Sequence, residues 1–188
     1  MLSLCGEPFD YVHLDLRAGE HKKPDYLEKN RYGQVPCLTD GQVNFCQSAS
    51  ILQYLAETLG KFDGATPQER ARIREWMYWD FDRLAPAIYR SRAIRAGFRQ
   101  AEDAVKTMYE GEGKAGLAVL DAELGKGTWL VGSHPTIADI DVYGVVRYAS
   151  DAGFDLAAYP NILAWKTRFE ALAGFGTPEQ LMPQAKAA

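Results

Sequence analysis

The stretch from Gly33 to Leu55, GQVPCLTDGQVNFCQSASILQYL, constrains this chain more than any other. A Val35-Pro36 dipeptide enters a short apolar strand at Cys37 and Leu38. A turn at Asp40-Gly41 follows, then a second short strand at Val43, Asn44 and Phe45. Asp-Gly between two β-type runs is a hairpin signal. A helix then opens at Gln47-Ser48, since serine is a favoured helix-start residue and Ile51, Leu52 and Leu55 form an apolar stripe along one side of it. A helix N-terminus beside a strand edge offers unsatisfied backbone N–H groups and a partial positive charge. Together these suit an anion such as a carboxylate.

Upstream, residues 1–9 read as the tail of a helix, with Leu2 and Leu4 apolar, Gly6 a stop signal and Pro8 beyond it. Asp10–Leu16 alternates Val12, Leu14 and Leu16 with Tyr11, His13 and Asp15, the pattern of a half-buried strand with His13 at the surface. Residues 17–30 are polar. Pro24 opens a short helix through Tyr26 and Leu27, and His21, Lys22 and Lys23 form a basic cluster in a solvated loop.

Gly60–Pro67 interrupts the pattern with Gly, Pro and short polar residues, as a domain linker does. Everything beyond it reads helical. Thr66, Pro67 and Glu69 form a helix start with a capping box. Ile73, Met77, Phe81, Leu84 and Ile88 then share a core-facing side, and Tyr78, Asp82, Ala85 and Tyr89 an adjacent one. Pro86 is expected to kink that helix. A further amphipathic helix lies between Phe98 and about Leu124, weakened by Gly111, Gly113 and Gly116. In HPTIADIDVYG, Thr136 and Asp139 form a second capping box with Pro135 and Ile140 as its staple. The helix it caps buries Val142, Val145, Val146 and Tyr148. A last helix from Pro160 carries Leu163, Trp165, Phe169 and Leu172, with a loosely held tail after Gly174.

A formal net charge of −4 over 188 residues, with no Lys/Arg stripe, points away from nucleic acid. No apolar run approaches the roughly 18 residues of a membrane span. Cys5, Cys37 and Cys46 include no CxxC and no metal-ligand spacing, so they read as small buried hydrophobes in a reducing, cytoplasmic setting.

The Gly33–Leu55 wording, G-Q-V-P-x-L, a hairpin, then Q-S-x-x-I-x-x-Y-L, resembles the glutathione-binding half of the glutathione transferases. HPTIADIDVYG resembles the cap of the core helix in their C-terminal domain. The resemblance implies an α/β plus all-α fold: a thioredoxin-like domain over 1–60, a linker over 61–66, and an all-helical domain over 67–188. It implies a cis Val-Pro bond, with the Val35 backbone on the cysteinyl part of glutathione and Gln47 and Ser48 on its γ-glutamyl end. Gln34 and Pro36 complete that set, and the basic cluster at 21–23 is placed to clamp the glycine carboxylate. Tyr78, Asp82 and Tyr89 would wall the second substrate, a small electrophile. Thr136 and Asp139 would serve stability. Glutathione enters as co-substrate, and no metal is implied.

Members of that family begin with a further strand and half a helix, which would lie upstream of Met1, and the turn between them supplies the Tyr, Ser or Cys that meets the glutathione sulfur. The first domain is therefore expected to lack its first strand, and no catalytic residue is assigned. Cys5 lies too far along the helix to stand in. Expected binding would then persist while rate falls. The leading expectation is an enzyme that adds the glutathione thiolate to small electrophiles, as a cytoplasmic homodimer with Trp76 and Trp79 at the subunit contact. The alternative is a non-catalytic module of the same fold. A thiol–disulfide reductase is disfavoured by the absence of CxxC.

Overall fold

The hairpin forms as an antiparallel pair, β1 (Cys37–Asp40) and β2 (Val43–Cys46), in the computed structural model, which describes residues 1–182. Its two turn residues are Gly41 and Gln42, one position later than the Asp-Gly signal suggests. Gly41 takes the positive φ of 58°, a glycine conformation, and Asp40 stays in the strand. There the Asp40 carboxylate accepts from the Tyr54 hydroxyl at 2.7 Å, while Phe45 stacks on the Tyr54 ring at 3.9 Å. These contacts pin the hairpin to α3 (Ser48–Leu59), which buries Ile51, Leu55 and Ala56.

The described residues divide into two compact units: Met1–Lys61 with 172–182, and Phe62–Ala171. The first also holds α1 (Leu2–Cys5), closed by Gly6 in the left-handed conformation, and α2 (Pro24–Leu27) with proline at its start. Residues 10–16 take no place in the sheet. β1 and β2 pair only with each other among the described residues, and Val12 is 77% exposed. Alternation supplies the pattern of a strand, but a ladder partner makes one. Of the tail after Gly174, expected to be loosely held, residues 183–188 lie outside the described residues. Ser3 Oγ donates to the Gly174 carbonyl at 2.5 Å, and Thr177 opens α9 (Pro178–Leu181) with its N–H on Gln180 Oε1 at 2.8 Å.

The second unit is helical. Thr66 caps α4 (Pro67–Trp79): its hydroxyl accepts from the Glu69 N–H at 3.1 Å, and Glu69 accepts in return from the Thr66 N–H. Pro86 has no N–H to donate, and the ladder just before it widens into a π-helical segment, Asp80–Leu84, before α5 (Ala85–Arg95) resumes. The widened turn changes which side chains face inward. Ile73, Met77, Leu84 and Ile88 are buried as expected, but Phe81 is 42% exposed and Asp80 occupies the core position.

α6 (Asp103–Leu124) runs unbroken through its glycines because two of them are contact points. A Cβ at Gly113 would strike the Phe154 ring, and one at Gly116 would press on Leu84. In α7 (Ile137–Val146) Val142, Val145 and Val146 are buried, whereas Tyr148 lies past its end and is half-buried. α8 (Pro160–Glu170) buries Ile162, Trp165 and Phe169 but leaves Leu163 exposed. Ile162 takes the inward position expected of Leu163.

Candidate functional site

The Val35-Pro36 peptide bond is cis. The backbone leading to it is tied down from several sides. Lys22 Nζ donates to the Gly33 carbonyl at 2.8 Å, and the Tyr26 hydroxyl and Asn30 Nδ2 both donate to the Gln34 carbonyl at 2.6 Å. Asn30 is buried, and its Oδ1 accepts from the Tyr32 N–H at 3.1 Å. Gly33 has φ 55°, and a Cβ there would meet Lys22 Nζ and the His21 carbonyl, so only glycine fits this approach. Within the basic cluster, then, Lys22 anchors the turn and Lys23 pairs with Glu20 at 3.4 Å.

Across from this turn stands the start of α3. Gln47, its N-cap, has φ 69° and ψ 122°, a costly conformation for a residue with a Cβ, and its side chain makes no capping hydrogen bond. Instead Gln47 Nε2 donates to Gln34 Oε1 at 3.2 Å and joins the two edges of the site. The first N–H groups of α3 thus lack a side-chain cap. Gln34, Val35, Pro36 and Gln47 are exposed and Ser48 half-buried, so the five lie on adjoining, accessible segments.

Beside them is an open hollow of about 300 Å³, bordered by Arg31, Tyr32, Asn44, Phe45, Gln47 and Ser50. Arg31 lies 4.6 Å over the Tyr32 ring and donates to its hydroxyl at 2.7 Å. A guanidinium and a helix N-terminus around one hollow favour an anion. Sequence reading missed Arg31 and Tyr32; the only available signal was a basic–aromatic pair just before the Gly33–Leu55 stretch. It also missed the strained backbone of Gln47, which has no sequence signature.

In the helical unit, Tyr78, Asp82 and Tyr89 have separate partners and surroundings. Asp82 pairs with Arg83 at 2.8 Å, Tyr78 is exposed, and the Tyr89 hydroxyl donates to the Gly144 carbonyl at 3.3 Å. That hydroxyl points inward, and burial and then the Asp80 charge push its pKa well up, although the residue remains 43% exposed. Trp76 and Trp79 are half-buried and pack edge to face at 5.1 Å. Beneath this face lie two acids that the sequence reading did not single out. Asp80 is 1% exposed, and burial followed by the charge of Asp141 raises its pKa to about 8. Burial alone raises Asp141 to about 7. An Asp three residues after Met77, inside an apolar stripe, was the signal.

Thr136 and Asp139 are both buried at the start of α7. Asp139 Oδ2 accepts from the Thr136 N–H at 2.9 Å and from its hydroxyl at 3.2 Å. Oδ1 accepts from the Leu130 N–H at 3.1 Å and from Trp165 Nε1 at 2.9 Å. The carboxylate therefore links a loop, a helix start and the core tryptophan. Among the described residues, no three His, Cys, Asp or Glu side chains gather as a metal-ligand group, and no helix is long and apolar enough to cross a membrane.

Residues 1–57 match the family model of the glutathione S-transferase N-terminal domain, and residues 103–168 that of the glutathione S-transferase C-terminal domain. A probable glutathione S-transferase of Oryza sativa subsp. japonica is 32% identical over 180 residues, covering 89% of this chain and 82% of the relative. A maleylacetoacetate isomerase of Rhizobium meliloti is 32% identical over 184 residues, covering 93% and 85%. Among solved structures, a glutathione S-transferase from Xanthobacter autotrophicus superposes with a TM-score of 0.85 at 32% identity, over 93% of this chain and 86% of that one.

Proposed function

The chain belongs to the glutathione S-transferase family, and we propose that it binds glutathione along Gln34, Val35, Pro36, Gln47 and Ser48 and joins the glutathione thiolate to small electrophiles. The observation that carries this reading is the juxtaposition of the cis Val35-Pro36 turn with the uncapped start of α3, bridged by the Gln34–Gln47 side-chain hydrogen bond. Glutathione has an anionic γ-glutamyl end and a peptide backbone. The first suits the N–H groups and the hydroxyl at Ser48, and the second an exposed Val35 backbone. Gln47 is held at a strained φ, as residues of binding sites commonly are.

Tyr78, Asp82 and Tyr89 are assigned to the wall of the electrophile site, where the exposed Tyr78 phenol and the Asp82 carboxylate would meet a small polarised substrate and the Tyr89 ring would line it. No residue of this chain is assigned to the sulfur. Trp76 and Trp79 are assigned to a subunit contact, and a reducing, cytoplasmic setting suits the three free cysteines.

The test is glutathione-dependent consumption of an activated aryl halide, an α,β-unsaturated carbonyl and an organic hydroperoxide by the 188-residue protein. Slow turnover of at least one, since no residue of the chain is assigned to the sulfur, reduced further by Gln47→Ala and by Ser48→Ala, is the expected result. Consumption that no substitution at these positions alters would overturn the assignment, and no consumption at all would overturn the activity.

A further inference from the structure

Cys37 and Cys46 are register partners across the hairpin. Antiparallel pairs alternate between hydrogen-bonded and non-hydrogen-bonded positions, and counting from the Gly41-Gln42 turn places Cys37 and Cys46 at a non-hydrogen-bonded one. Cα atoms at such positions approach to about 4.5 Å, inside the roughly 4.4–6.8 Å span of disulfides. Directly opposed residues also project from the same face of the sheet. The two sulfurs share one acceptor: Cys37 Sγ lies 3.8 Å and Cys46 Sγ 3.6 Å from the Lys29 carbonyl. Both residues are half-buried and within reach of a solute, whereas Cys5 is buried.

We propose that Cys37 and Cys46 are a dithiol site that closes reversibly to a cross-strand disulfide by exchange with a low-molecular-weight disulfide such as glutathione disulfide. One cysteine thiolate attacks a sulfur of the small disulfide; a protein–glutathione bond forms and one glutathione thiolate leaves. The second cysteine gives up its proton and attacks the protein-side sulfur. The Cys37–Cys46 bond forms and the second glutathione thiolate leaves. Two electrons pass to the small disulfide, and the two thiol protons pass through solvent to the released thiolates, so the step balances.

Burial and then the neighbouring Cys46 raise the Cys37 thiol above its ordinary value, so attack by Cys37 quickens as pH rises. The bond would close the end of the hairpin where Pro36 precedes Cys37 and Gln47 follows Cys46. The proposal stands apart from the transferase reading, because exchange requires the opposed thiols and no glutathione bound at Gln47 or Ser48.

The test equilibrates the full chain in glutathione–glutathione disulfide buffers of stepped ratio, alkylates the remaining thiols under denaturing conditions, and maps them after cleavage at Asp40, which separates the two cysteines. Cys37 and Cys46 should leave the alkylated pool together, reappear as one linked peptide pair within a single chain, and return on reduction, while Cys5 stays alkylated. Cys46→Ser should stop at a stable adduct of one glutathione on Cys37. Separate alkylation of both cysteines in excess glutathione disulfide overturns the proposal. So does a wild-type mixed disulfide that never resolves, or a link that forms only between chains.

Discussion

At Asp139, one carboxylate satisfies donors from Leu130, Thr136 and Trp165 at a site closed to water. Removing it strands those donors together, so Asp139→Ala should cost about 3 kcal/mol or more, while Thr136→Ala, which leaves the other donors paired, should cost roughly 0.5–2 kcal/mol. Urea midpoints of the two variants check the order, and glutathione affinity of the folded fraction should stay level in both. Asp80 behaves in the opposite way. The folded protein keeps its proton up to about pH 8, whereas an unfolded chain releases it near 3.8. Its contribution is therefore fully present below about pH 4 and is lost as pH rises through 8; Asp141 follows the same course through about 7. Asp80→Asn carries no charge to desolvate, so its stability relative to wild type should climb between pH 5 and pH 8. Parallel unfolding free energies across that range would contradict this account of the pair.

At the scale of elements, close approach decides what a glycine is for. Gly113 has Phe154 where a Cβ would stand, while Gly111 faces open space on the same helix. Alanine gains up to about 1 kcal/mol of helix propensity at either position. Gly111→Ala should therefore raise the thermal midpoint and Gly113→Ala should lower it; equal shifts would show that the ring yields freely. The helices themselves were legible in their apolar period, and the hairpin in its Asp-Gly signal. What periodicity could not foresee was the phase change at Pro86, where the π segment turns Asp80 inward and Phe81 out. Nor could it supply a partner for residues 10–16, whose alternation is real but unpaired.

At the scale of the whole molecule, the family was legible because its wording is local: Val-Pro, hairpin, Gln-Ser and the Thr136–Asp139 box lie in two short stretches. The surroundings of the site were less so, since Arg31, Tyr32 and the φ of Gln47 acquire meaning only once the chain is folded. Assembly is a further consequence of the proposed reading. With Trp76 and Trp79 at a subunit contact, the protein should sediment as a homodimer at micromolar concentration, and Trp76→Ala should shift it toward monomer; a wild-type monomer would remove that assignment. The central claim, that the start of α3 and the Val35-Pro36 turn hold glutathione, is tested most directly by calorimetric titration of glutathione into wild type and Ser48→Ala. A hydrogen bond to a charged group contributes roughly 1.5–3 kcal/mol, so the account predicts a saturable isotherm for wild type and about 10- to 150-fold weaker binding for the variant. An absent isotherm in wild type, or equal affinities in the two proteins, would contradict it.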